Sequence, residues 1–142
     1  MTKKYTLHHR LPRSRGGTDA KNNLSYIDSK IHKIWHNLFG THDTSRIVIL
    51  INHDRVLPKG EEVVVFQNDG EEYCSLSYER EQRGIAPTDR LLRKKYWKEI
   101  LWRFDYDIYS VIDFFNECMV DPKYSIEFVS QIQPIIEEFR TT

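Results

Sequence analysis

His32 and His36 stand four residues apart in a segment whose apolar residues, Ile31, Ile34, Trp35, Leu38 and Phe39, recur at helical spacing. The pattern predicts a helix with Asp28 or Ser29 as N-cap and Gly40 as its stop. On such a helix the two imidazoles share one face, with Cβ atoms about 5–6 Å apart, close enough to reach one divalent cation. Both fall at the edge of the apolar face, beside the core rather than out in water. Two more histidines, His8 and His9, sit in a short extended stretch from Tyr5 to Leu11. Successive side chains of an extended chain diverge to opposite sides. One of this pair can therefore complete a metal site with His32 and His36, and the other stays uncommitted.

The uncommitted imidazole has a use. Its unperturbed pKa, about 6.5, suits it to take a proton from water near neutral pH. A metal with an adjacent free base is equipment for hydrolysing a phosphodiester: the ion polarises the phosphate and stabilises the leaving oxyanion, and the base activates the water. The segment between the extended stretch and the helix is a loop rich in breakers, Pro12, Ser14, Gly16, Gly17, Asp19 and Asn22.

The run His8-His9-Arg10-Leu11-Pro12-Arg13-Ser14-Arg15-Gly16-Gly17, followed by Asn23-Leu24, His32 and His36, resembles the HNH (ββα-metal) endonuclease motif. The likeness is greatest to its colicin and pyocin DNase variant, which also opens on paired histidines and closes on two helical ones. The steps of nine residues from Asn23 to His32 and four more to His36 agree with that pattern, while the segment from His9 to Asn23 is about one residue shorter. The resemblance covers about residues 5–40. It implies that His9 is the general base and that His8, His32 and His36 are metal ligands. It also implies that Asn23 pins the loop between two short strands so that His9 is aimed, a role suited to a side chain that readily bonds backbone groups in turns. Gly16 and Gly17 would give that loop its backbone freedom. Arg10, Arg13 and Arg15 are the nearest donors for phosphates, by proximity rather than as motif positions. One divalent ion is expected. Three imidazoles and an open position suit Zn²⁺, and the family is associated with Mg²⁺ and Mn²⁺ activity as well.

The net charge is zero, but it comes in blocks of one sign. Residues 1–46 carry +6, 47–79 carry −5, 80–103 carry +5 and 104–142 carry −6. Phosphates respond to the local field over about a 10 Å Debye length, so the blocks matter more than the total. Arg90, Arg93, Lys94, Lys95 and Lys98 form a candidate second contact surface for DNA, with Arg93 and Lys94 as its representatives, and RNA is an open alternative substrate. The acidic block 104–142 is a candidate surface for a protein partner, or a shield over the basic site. No apolar run approaches the 18 residues of a membrane span, and the first residues lack the apolar core of a secretory signal. The two cysteines, Cys74 and Cys118, form no Cys-x-x-Cys and are expected to be ordinary partly buried thiols. A cytoplasmic protein is expected. His42 and His53, outside the motif, read as loop or surface residues.

The remainder divides at about residues 42 and 87. Arg46 to Asn52 leans to a helix capped by Asp43 or Thr44, although Ile-Val-Ile-Leu-Ile is also strand-like. Glu62–Gln67 and Glu71–Ser77 flank Asn68-Asp69-Gly70, a hairpin signal. From 88 on the chain reads as helical: one helix from an N-cap at Thr88 with Leu91, Leu92, Tyr96, Ile100 and Phe104 as its apolar face, a second over Ile108–Met119, and a third over Ser125–Phe139 kinked or split at Pro134. Trp97, Trp102, Phe114 and Phe115 read as core. The expectation is an α+β protein with a nuclease module at 1–42, a connecting region at 43–87 and a helical region at 88–142. The expected activity is metal-dependent hydrolysis of DNA phosphodiesters. The alternative is a non-catalytic, metal-stabilised module that binds nucleic acid or protein.

Overall fold

The computed structural model describes residues 4–68, 73–74 and 87–130. The N-terminal stretch forms strand β1, Tyr5–His9, paired antiparallel with β2, Leu24–Asp28. The register sets Tyr5 opposite Asp28, Leu7 opposite Tyr26 and His9 opposite Leu24. Side-chain alternation gives this hairpin two faces. Thr6, His8, Ser25 and Ile27 share the inner face, where His8 and Ile27 are buried. Tyr5, Leu7, His9, Leu24 and Tyr26 share the outer one.

β2 leads directly into helix α1, Ser29–Phe39. Asp28 caps it by accepting from the backbone N–H groups of Lys30 and Ile31, and Gly40 ends it at a φ of 60° that favours glycine. Its buried residues are Ile34, Trp35, Leu38 and Phe39. Helix α2, Thr44–His53, follows, with Asp43 accepting from the Arg46 N–H at 2.9 Å. Ile47, Val48, Ile49, Leu50 and Ile51 are all buried. A helix apolar on every side is one enclosed by other elements, and the Asp43 cap is the local signal that makes this strand-like run a helix.

Strand β3, Glu61–Gln67, pairs antiparallel with β4, Tyr73–Cys74, as the hairpin signal predicts; the turn between them lies outside the described residues. The other edge of β3 holds an element the sequence reading made helical. Tyr124–Ser130 is strand β5, in antiparallel register from Glu61 opposite Ser130 to Gln67 opposite Tyr124. Tyr124, Ile126 and Phe128 alternate with Ser125, Glu127 and Val129, and a seven-residue ladder with β3 outweighs weak helical spacing. Pro134 and the rest of the expected helix lie outside the described residues.

Helix α3 is described over Pro87–Arg103, so Thr88 lies within it and is not its N-cap. The buried side of α3 is Arg93, Trp97 and Ile100, while Leu91 and Leu92 are exposed. The expected apolar face is therefore rotated. Helix α4, Ile108–Cys118, is capped by Asp107 and buries Ile108, Val111, Ile112 and Phe115. Trp35 and Phe39 of α1, Trp97 of α3 and Phe115 of α4 form one aromatic cluster with ring centroids 4.8–6.4 Å apart. Trp102, expected in the core, is exposed.

The fold is α+β, with a two-stranded sheet, a three-stranded sheet in the order β4-β3-β5, and helices around them. The segments 1–42, 43–87 and 88–142 all contribute to a single hydrophobic core. Within the acidic block, α4 and β5 contribute side chains to that core. Among the described residues no helix is long and apolar enough to cross a membrane.

Candidate metal centre

β1 carries His8 on its inner face, and α1 presents His32 and His36 one turn apart towards it. The ring centroids of His8 lie 5.2 Å from His32 and 6.0 Å from His36, and those of the helical pair lie 4.6 Å apart. One ring nitrogen from each falls within 4.8 Å of the other two.

The opposite nitrogen of every ring is tied back to the protein. His8 donates from Nε2 to the Met119 carbonyl at 3.0 Å, and His36 donates from Nδ1 to the Gly40 carbonyl at 3.2 Å. Nδ1 of His32 meets the Thr6 hydroxyl at 2.7 Å. Left facing one another are Nδ1 of His8 and the Nε2 atoms of His32 and His36, the last two 2.8 Å apart. Metal-ligating histidines are held in this way, with the outer nitrogen fixing ring orientation and tautomer.

The Nδ1 atom of His8 is buried and has no hydrogen-bond partner. Buried polar atoms are almost always satisfied, and a cation among the three nitrogens would satisfy this one. Metal–nitrogen bonds of about 2.0–2.1 Å in a tetrahedron place neighbouring nitrogens roughly 3.3 Å apart. The 2.8 Å separation of the helical pair and the 4.8 Å limit for the trio bracket that spacing. The donor set therefore fits a divalent ion with one position open, and three imidazoles favour a zinc-like ion over magnesium.

Electrostatics keep His8 and His32 in their ligating form. Burial, aided by His32, His36 and Arg10, lowers the His8 pKa to about 4 despite its bond to Met119. Burial and then the neighbouring His36 lower that of His32. A neutral imidazole retains the lone pair a metal needs. Thr6 can serve His32 in either tautomer, because a hydroxyl both donates and accepts.

His9 points the other way and stays out of the cluster. Its Nε2 lies 2.8 Å from Asp19 Oδ1, and Arg13 binds the other oxygen of the same carboxylate. A carboxylate only accepts, so Nε2 carries the proton and Nδ1 of the neutral ring carries the lone pair. Hydrogen bonds from Arg13 and His9 hold the Asp19 carboxyl down at about 2, so it stays ionised.

Asn23 is buried between the two ends of the loop. Its Oδ1 accepts from the Leu11 N–H at 2.7 Å, and its Nδ2 donates to the carbonyls of Leu11 and Thr18. Gly17 packs so closely that a Cβ there would lie 1.8 Å from the Leu11 carbonyl oxygen, and Gly16 takes a φ of 92°.

The five expected phosphate contacts separate sharply. Arg10 donates to the carbonyls of Val120 and Asn116 at the end of α4, and Arg15 to that of Thr41. Arg13 is exposed but engaged by Asp19. Arg93 is buried and makes a two-pronged pair with Asp54, which also accepts from the Trp97 indole. Arg93 therefore does not face a substrate, because it lies on the buried side of α3. Lys94, one residue on, is exposed. His42 is a surface loop residue, whereas His53 ends α2 partly buried against Asp54. Cys118 is half-buried, and burial pushes its pKa up to about 11.

Sequence reasoning missed Thr6, Asp19 and the Met119 carbonyl. Strand alternation could have found Thr6, two residues before His8 on the same face. Asp19 is the one carboxylate in the loop. Nothing in the sequence signals Met119. No protein-family model matches the chain, and neither the curated proteins nor the solved structures compared with it gave a match.

Proposed function

We propose that the chain is a metal-dependent endonuclease that hydrolyses DNA phosphodiester bonds, with His9 as general base and one divalent ion held by His8, His32 and His36. The observation that carries this reading is the convergence of three ring nitrogens whose opposite nitrogens are all tethered, around the orphaned Nδ1 of His8. An ion bound there would supply positive charge to the phosphate and to the leaving oxyanion. The chain's own residues supply the rest. His9 takes a proton from water at Nδ1, with Asp19 holding Nε2–H and stabilising the charge that develops on the ring. Asn23 and Gly17 fix the loop that carries Asp19. Lys94, exposed on α3, is a further candidate phosphate contact.

Cleavage of a supercoiled plasmid with Mg²⁺, Mn²⁺, Zn²⁺ or EDTA tests the reading, with wild type and His9→Ala side by side. Metal-dependent nicking that is lost in the variant supports it. No cleavage of the plasmid or of a single-stranded DNA by folded, metal-loaded wild type overturns it in favour of a metal-stabilised binding module.

A further inference from the structure

The outer face of the β1–β2 hairpin exposes large aromatic side chains where a soluble surface usually presents polar ones. Tyr26 is 74% exposed and Tyr5 61%, with Leu7 at 39% beside them. The register orders this face. Tyr5 lies opposite Asp28, Leu7 opposite Tyr26 and His9 opposite Leu24, so Tyr26 on β2 is the diagonal neighbour of both Tyr5 and His9 on β1. A chain running along β1 meets Tyr5, then Tyr26 alongside Leu7, then the imidazole assigned the proton transfer.

We propose that this face is a stacking platform for unpaired bases, and that the site takes single-stranded nucleic acid. The inference rests on the nuclease reading for the role of His9, but the platform stands on its own geometry. Diagonal neighbours of an antiparallel pair are about 7–8 Å apart, roughly twice the 3.4 Å repeat of stacked bases along one strand. Each ring can therefore take its own base only from a strand whose bases have come apart. A duplex offers no base faces, because each is covered by the next pair. Exposed aromatics on a small sheet are how single strands are gripped without sequence readout. Charge agrees with this occupant: residues 1–46 carry a net +6, with Lys4, Lys21 and Lys30 all exposed. Asp28, at the far end of the face, turns its carboxylate to the start of α1.

The experiment measures binding by fluorescence anisotropy on the full chain carrying His9→Ala, so that cleavage does not intrude. The probes are an oligothymidine strand, an abasic strand of the same length and a duplex of that length. The expected order is single strand tightest, with abasic strand and duplex both weaker. Adding Tyr26→Ala or Tyr5→Ala should weaken the single strand about 5- to 150-fold each, the range of base–aromatic stacking, and leave the abasic strand unchanged. Tyr26→Phe should retain affinity, since stacking uses the ring and not the hydroxyl. Equal binding of duplex and single strand, or alanine variants that bind like the parent, overturns the platform. Plasmid nicking that depends on His9 would leave the nuclease reading intact in that case. Single-strand binding with phenylalanine rescue, in a protein that cleaves nothing, would keep the platform and remove the nuclease. Failure to bind any of the probes, with self-association that Tyr26→Ala abolishes, overturns it in favour of a protein interface.

Discussion

His8 donates its Nε2 proton to the carbonyl of Met119, 111 residues further along the chain. That bond fixes the tautomer that leaves Nδ1 facing His32 and His36, so a ligand on the first strand is oriented by the end of α4. Ser25 and Arg10 reach the same helix end, through the carbonyls of Cys118, Asn116 and Val120. Residues beyond 42 are thus part of how the candidate site is built, and deleting 104–142 removes its support together with Phe115.

Asp19 should matter to catalysis through His9 rather than through binding. Asp19→Ala is expected to lower kcat about tenfold or more, part of the roughly 10²–10⁴ that a general base supplies. Asp19→Asn retains an acceptor oxygen and should recover part of the loss. DNA affinity should not fall in either variant, because removing a carboxylate also releases Arg13. Single-turnover cleavage and anisotropy, run on the same preparations, separate the two effects.

Acid should destabilise the metal-free protein in a defined window. The His8 pKa is about 4 in the folded chain against 6.5 for an unperturbed histidine. Between these values the unfolded chain binds a proton that the folded one does not, so stability falls as pH drops. His32, shifted in the same direction, adds to the slope. Urea midpoints of EDTA-treated protein should be highest above pH 6.5 and decline towards pH 4, below which the Asp19 carboxylate continues the fall. His8→Gln should flatten that decline, and a midpoint constant across the window would contradict the assignment.

Arg93 and Lys94 are adjacent in sequence and should behave oppositely. Arg93→Ala leaves Asp54 charged, buried and without its main partner, an arrangement that costs about 3–5 kcal/mol. Its effect should appear in thermal unfolding. Lys94→Ala should leave the melting temperature nearly unchanged and reduce the slope of log affinity against log salt by about one. The converse pattern would mean that α3 is rotated from the orientation described.

The loop from Arg10 to Asn23 should tolerate little. Asn23→Ala removes three hydrogen bonds from a buried position and should cost about 2–4 kcal/mol. Gly17→Ala places a methyl carbon 1.8 Å from the Leu11 oxygen, so the loop cannot close as it does. Both variants should lose cleavage more steeply than they lose metal, because none of the three ligands lies in that loop. Metal content by mass spectrometry of the native protein gives the comparison.

The N-terminal unit was legible because each of its devices is local. Asp28, the apolar face of Ile34, Trp35, Leu38 and Phe39, and Gly40 mark α1 within a dozen residues, and the four-residue step places His32 and His36 together. Asp43 likewise marks α2. The failures are all non-local. Tyr124–Ser130 is a strand because β3 lies beside it, and sequence spacing carries no sign of a partner some sixty residues away. Arg93 reads as a surface cation until Asp54, 39 residues earlier, is found against it. Leu91 and Leu92 match a helical stripe as well as Trp97 does, and only the packed neighbours decide which side of α3 turns inward.

The way the first strand is moored to α4 bears on engineering. Residues 5–40 are not a portable cassette: transplanted to another scaffold, His8 would lose the acceptor that sets its tautomer, and Arg10 would carry an unspent charge into the recipient's interior. A working graft would have to bring a helix end with it, carbonyls first.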